Sequence, residues 1–197
     1  MKKVLNKYDI MKLVMFILII SVGIIMSSYS NEDKKEVKIE ISPSPISVSA
    51  GTVERFIMPC EYEKERIIDV WLTEGYSKND KYCVLYAQDG NNLFDATKMF
   101  NHQEWRLDEV ADSLMAKDLI RKTIIVGIHC TRQRFKEYLP QKAAQYLSEE
   151  AKIELKEVIE SCVGDSYLKF IVEELKPFID EHYSVYKNPE NTGVIGS

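Results

Sequence analysis

Positive charge is scarce in this chain. Its 26 lysines and arginines are outnumbered by 31 acids, for a net charge of −5. That balance excludes the basic face a nucleic-acid binder needs. Histidine is rarer still, with only His102, His129 and His182. There is no His-Glu-x-x-His, no Cys-x-x-Cys and no acidic calcium loop, so nothing supports a metal or thioredoxin-like site. The expectation is a chain without metal or cofactor. No internal repeat occurs, which excludes solenoids and propellers. What is present is ordinary globular material, 45% hydrophobic and 29% charged over 197 residues. That is enough for one domain with a real core.

The N-terminus departs from that pattern. Lys2, Lys3, Lys7 and Lys12 precede an apolar-and-small run from Leu13 to Met26. The run is short for a membrane span of about 20 residues and suits a signal-peptide core. Ser28-Tyr29-Ser30 offers small residues at the two key positions of a cleavage site, and no cysteine follows for lipid attachment. Residues 1–30 therefore read as a signal peptide or an uncleaved membrane anchor. The protein is expected to be exported, to the periplasm or beyond the cell, with membrane contact only through this segment. Export permits disulfides among Cys60, Cys83, Cys130 and Cys162, but four buried free thiols are the default expectation. Residues 31–51, charged and then rich in Ser, Pro and Ala, read as a linker.

The domain is expected over residues 52–197. Val53–Met58 and Ile67–Leu72 read as strands joined by a short polar link, which predicts an antiparallel pair. Tyr82–Ala87 is an apolar, β-favouring run. Asn101 with Glu104 three residues on forms a capping-box pattern, and Leu107, Val110, Ala111 and Leu114 continue at helical spacing. Thr123–Ile128 reads as a central parallel strand. Ser148 caps a further helix with Ala151, Leu155, Val158 and Cys162 as its inner stripe. Asp165 opens another, with Leu168, Ile171, Val172, Leu175 and Ile179 inward. Pro177 predicts a kink there or two helical pieces. Thr192–Ile195 starts a last strand. Strands alternating with helices after an antiparallel pair define an α/β domain with a mostly parallel sheet. Ligand sites in such sheets lie beyond the carboxyl ends of the strands. Asp89-Gly90-Asn91, His129–Arg134 and Gly196-Ser197 fall on that rim.

The chain is organised around Val84–Asp95, where a buried strand breaks into Gln-Asp-Gly-Asn-Asn and returns at once to Leu93-Phe94. Such a turn can present backbone N–H groups to an oxygen. Tyr-x-x-Asp-Gly-x-Asn-Leu-Phe-Asp, from Tyr86 to Asp95, resembles the esterase group of the α/β-hydrolase superfamily that includes enterochelin-esterase-like and feruloyl- and acetyl-xylan-esterase-like enzymes. Glu104-Trp105-Arg106, Ile125–Ile128, Arg134–Pro140, Tyr167–Ile171, Glu174–Asp180 and Thr192–Ser197 follow in the same order. The resemblance runs from about Val53 to the last residue.

The resemblance implies an incomplete α/β-hydrolase sheet and a serine esterase acting on acyl esters through an acyl-enzyme. Its substrate would be a small-molecule or carbohydrate ester, sugar-linked by preference. One oxyanion-hole N–H would come from the turn at Gly90 and Asn91, most directly Asn91. Gly196 and Ser197 would lead into the G-x-S-x-G nucleophile elbow, Ser197 standing just before the nucleophile. In this superfamily the acid and the histidine follow the serine, so none of the three histidines is the expected base. The catalytic Ser, acid and His are then expected outside these residues, and the chain reads as a truncated, inactive portion. Asp89, His129 and Arg134 are candidates for the substrate-pocket rim, Asp89 as a brace or a lining residue. Arg134, Glu137 and Tyr138 match the family's Arg-x-x-Glu-Tyr loop, read first as an ion pair and packing contact that order the rim. The competing class is a secreted or membrane-tethered binding protein with a hydrolase-like fold and no catalysis.

Overall fold

Successive side chains of Thr52–Cys60 (β2) and Glu63–Leu72 (β3) point to opposite faces of the sheet, so each strand serves two sides. Phe56, Met58, Ile68 and Val70 enter one core, whereas Val53 and Trp71 enter a second on the opposite side. The computed structural model describes residues 39–98, 102–139 and 141–196. The signal or anchor reading, residues 31–38, the proposed cap Asn101 and Ser197 lie outside those residues.

Among the described residues one mixed sheet of six strands runs in the order β1-β2-β3-β5-β4-β6. Here β1 is Ser42–Pro43, β4 is Cys83–Ala87, β5 is Thr123–Ile128 and β6 is Thr192–Ile195. The β2–β3 pair is antiparallel, as its short polar link requires. β3 meets β5 antiparallel, while β4 is parallel to both β5 and β6. The crossovers put helices on both faces. One core gathers Val84, Tyr86, Ile124 and Val126 under Tyr167, Phe170, Leu175 and Ile179. The other gathers Ala87 and Ile125 under Leu93, Phe94 and Ala111. This is an α/β-hydrolase-like sheet with flanking helices. Among the described residues no helix is long and apolar enough to cross a membrane.

The linker reading of residues 31–51 needs correction from Ile39 onward. Ser42–Pro43 pairs with Glu54 and Arg55 of β2. Ile39 and Ile41 pack on one core, and Ile46 and Val48 on the other. The strap is pinned by distant polar groups: Ser47 N–H donates to Asp95 Oδ2 at 3.0 Å, Ser49 N–H to Asp108 Oδ2 at 2.9 Å, and the Trp71 indole N–H to Ala50 O at 2.7 Å. Beyond β1, its Ser/Pro composition suits an extended segment whose amides at Ser47 and Ser49 bond to side chains rather than to a ladder.

Three helical expectations also shift. The helix after the central turn, Leu107–Ala116 (α1), begins with Arg106 in the left-handed region at its N-terminal flank. Upstream, Trp105 N–H donates to Asn92 O at 2.9 Å and Leu107 N–H to Leu93 O at 3.3 Å. Pairing with the turn occupies the backbone that the Asn101–Glu104 pattern would have wound into helix. α1 keeps Asp108 and Glu109 in its first turn, the favourable sign for that end.

Arg134–Tyr138 (α2) follows β5, and then comes the Ser148 helix. Ser148 caps it as expected, accepting from Ala151 N–H at 3.2 Å. It breaks at Leu155 into Glu149–Glu154 (α3) and Lys156–Ser161 (α4), however, and its intended stripe is largely exposed except for Cys162. No described element packs across that stripe closely enough to bury it.

The last helical run is Gly164–Lys169 (α5), a π-helical turn Phe170–Leu175, and Lys176–His182 (α6). Its buried side is Tyr167, Phe170, Leu175 and Ile179, whereas Leu168 and Val172 are exposed. The step of five from Phe170 to Leu175 is the π-turn's extra residue, which rotates the inner face away from the 3.6-residue expectation. Pro177 falls near the start of α6, where a missing N–H is tolerated. All four cysteines are free thiols, three of them buried and Cys130 half-buried.

Candidate active-site rim

β4 leaves the sheet through Gln88 and Asp89, and Asp89 takes a left-handed conformation at φ 55° and ψ 44°. Asp is among the few residues that accept that region. The strain is held by partners from the loop after β5. Arg134 grips the buried Asp89 carboxylate with Nε at 2.7 Å and Nη2 at 2.8 Å. Asp89 N–H donates to the Tyr138 hydroxyl at 3.1 Å. Burial pushes that hydroxyl up to about 12, so it keeps its proton and donates in turn to Asp89 Oδ1 at 3.3 Å. Asp89 and Arg134 are therefore a clamp that fixes the turn. Glu137 works elsewhere, buried against Arg66 at 2.6 Å.

Beyond Asp89 the chain makes a 3₁₀ turn, Gly90–Asn92. The first N–H groups of such a turn have no acceptor within it. Those are the Gly90 and Asn91 N–H groups, from which the one expected oxyanion donor, most directly Asn91, would come. Gly90 is required for close packing: a Cβ there would lie 2.6 Å from the Gly127 carbonyl carbon and 2.8 Å from Ile128 backbone atoms. The turn is thus seated directly on the end of β5. Asn91 adds a side-chain tie, its Oδ1 accepting from Cys130 N–H at 3.3 Å and Sγ at 3.1 Å.

On the other side of β4, β6 runs parallel with Ala87 opposite Ile195. Gln88 N–H donates to Ile195 O at 2.9 Å, and Gly196 sits against the Gln88 side chain. The exits of β4 and β6 are therefore neighbours, which brings the Gly90–Asn91 turn beside the Gly196 approach.

A cleft of about 340 Å³ opens next to the turn, with Gly90, Asn91, Arg55, Asp69 and His129 among its walls. His129 continues β5, its N–H donating to Ile67 O at 3.1 Å and its carbonyl accepting from Arg66 Nη1 at 2.8 Å. Its Nε2 lies 2.6 Å from Asp69 Oδ2. Asp69 is only 1% exposed and also takes Arg55 Nε and Nη2, each at 2.7 Å. Burial alone would raise the Asp69 carboxyl, but the hydrogen bonds from Arg55 and His129 outweigh it and hold the group below the usual carboxylate range.

The sequence reading missed Asp69 and Arg55. The available signal was a lone acid inside the apolar run Ile67–Leu72. His102 is exposed, and exposed His182 ends α6, stacked on Phe178 near the opposite end of β4. Among the described residues no three His, Cys, Asp or Glu side chains form a group fit to hold a metal.

The sheet therefore sets a clamped turn and a Gly-led strand exit side by side. The family model described as "Putative esterase" matches residues 61–197, and the chain belongs to that family of α/β-hydrolases. It is 28% identical over 149 residues to a Bacillus subtilis (strain 168) protein named "Uncharacterized protein YjcH", covering 74% of this chain and 51% of that protein. A ferulic acid esterase from Anaeromyces mucronatus, solved in complex with ferulic acid, matches at 18% identity and a TM-score of 0.48, over 83% of this chain and 51% of that one. An IroE-like serine hydrolase from Shewanella oneidensis matches at 22% identity and a TM-score of 0.47, over 74% of this chain and 40% of that one. The chain spans about half the length of the Bacillus relative and of the ferulic acid esterase.

Proposed function

We propose that this chain is the N-terminal part of an exported serine esterase that hydrolyses acyl esters, sugar-linked ones by preference, through an acyl-enzyme and without a cofactor. The observation that carries the reading is the parallel β4–β6 pair, with Ala87 opposite Ile195. It sets the Gly90–Asn91 N–H groups beside the point where a nucleophile elbow would follow Gly196. A tetrahedral intermediate formed there would place its oxyanion within reach of the turn. The second donor would come from the residue after the nucleophile. On this reading the nucleophile, its histidine and its acid would lie outside residues 1–197.

Hydrolysis of p-nitrophenyl acetate tests this reading. Protein extended through its natural reading frame should turn the ester over in a serine-dependent manner blocked by a fluorophosphonate. Residues 1–197 alone should show none, because an esterase needs nucleophile, base, acid and both donors in one geometry. Fluorophosphonate-sensitive turnover by residues 1–197, or an inert extended protein, would overturn it.

Export rests on the lysine-flanked apolar run Leu13–Met26. Mass spectrometry of the native protein should find an N-terminus near Asn31, and a cytosolic protein beginning at Met1 would refute export.

A further inference from the structure

We infer that the cleft beside the Gly90–Asn92 turn recognises a hydroxyl group of the substrate through His129 Nδ1, which Asp69 holds as a hydrogen-bond acceptor. The inference rests on the esterase reading and names the chemistry its pocket selects.

The proton positions follow from the partners. Asp69 is an ionised carboxylate and can only accept. Its contact with His129 Nε2, at 2.6 Å, therefore requires the proton on Nε2. In the neutral ring the lone pair is then on Nδ1. Arg55 already balances the Asp69 charge with two bonds of 2.7 Å, and Ser44 Oγ approaches Asp69 Oδ1 at 3.4 Å. Asp69 is thus fully engaged and serves to orient the ring.

Among the described residues no group bonds to His129 Nδ1. His129 is among the residues lining the cleft next to the turn, and its side chain keeps 15% exposure, so a ligand that reaches the free edge of the ring meets an acceptor. A hydroxyl donor satisfies it. A carbonyl or carboxylate oxygen would set lone pair against lone pair, and a hydrocarbon would strip the nitrogen of water without replacement. Two kinds of ester carry such a hydroxyl: a sugar on the alcohol side, or a phenol on the acyl side.

The test uses the full-length enzyme and matched ester pairs. One pair is the monoacetate of methyl xyloside and its counterpart lacking the free hydroxyls. The other is methyl 4-hydroxycinnamate and methyl cinnamate. Wild type should favour the hydroxylated member of one pair in kcat/KM, and which pair it is assigns the hydroxyl to the alcohol or the acyl side. His129→Phe should cut that preference by about tenfold to a hundredfold, the scale of one unpaired polar group. His129→Gln, which restores an acceptor, should recover part of it. A merely structural role would slow both members alike and leave the ratio unchanged, and that result overturns the inference. Equal preference in wild type also overturns it while leaving the esterase reading standing. Calorimetric binding of methyl xyloside or 4-hydroxycinnamate needs no chemistry. His129-dependent binding by a protein that cleaves no ester would sustain the inference and sink the esterase reading. Absence of both cleavage and binding would sink both.

Discussion

In the full-length enzyme, Asn91→Pro should lower kcat by about 10²–10³-fold, the usual cost of one oxyanion donor. Proline has no N–H, so the change deletes the donor itself and not merely its orientation. The turn is otherwise well anchored. Asp89 stays clamped by Arg134 and Tyr138, and Gly90 stays seated on Gly127 and Ile128. Proline also restricts the residue before it, and it removes the Asn91 side chain that accepts from Cys130. Asn91→Ala separates these effects, because it loses the same side-chain contact yet keeps the N–H. It should cost far less in kcat. Circular dichroism and the thermal midpoint check that both variants fold. Unchanged turnover in a folded Asn91→Pro protein would move the oxyanion donor elsewhere.

Glu137→Ala should destabilise the fold by about 3–5 kcal/mol, because it strands a buried cation. Arg66 is only 1% exposed and lies among Tyr62, Tyr167 and Phe170, whose ring centroids are 5.6, 5.3 and 5.8 Å from its guanidinium carbon. Its Nη2 meets Glu137 Oε1 at 2.6 Å, with both side chains fully buried. Glu137 also accepts from the Thr131 hydroxyl at 2.7 Å, and Arg66 donates to His129 O at 2.8 Å. The pair therefore staples the loop after β5 to β3. Arg66→Met strands the carboxylate instead and should cost a similar amount. Arg66→Met with Glu137→Leu removes both charges and should recover most of the loss. Urea unfolding of the four proteins reads this directly. A single-variant loss under about 1 kcal/mol would mean that water reaches the pair. The same staple carries Arg134 and Tyr138, so the single variants should also loosen the clamp on Asp89 and reduce turnover.

These two sites differ in how far the sequence reveals them. The Asp-Gly-Asn turn is visible because a strand and its break are local: apolar runs such as Thr123–Ile128 and Thr192–Ile195 fold as strands over the bounds their residues suggest. The Ser148 cap is legible for the same reason, since it needs only a hydroxyl and an amide three residues on. Helix facing was less so, because one π-helical turn at Phe170–Leu175 rotates everything around it. The strap at residues 39–51 was misread because its amides are satisfied by Asp95 and Asp108, far along the chain.

The sequence by itself determined the strands, the order of the family motifs and the position of the turn, all of which depend on short-range preference and on the need to bury apolar runs. The tertiary structure decided what the charged rim residues do. In one dimension Asp89 and Glu137 stand out only as members of family motifs and Asp69 only as a lone acid in an apolar run, and none of the three reveals its partner. Folding buries each against an arginine or histidine 45 to 71 residues away, Arg134 for Asp89, Arg66 for Glu137, and His129 at a separation of 60 beside the nearer Arg55 for Asp69. Ionised carboxylates can be buried here only because those partners reach them, and such pairing is settled by which strands lie side by side rather than by local residue pattern.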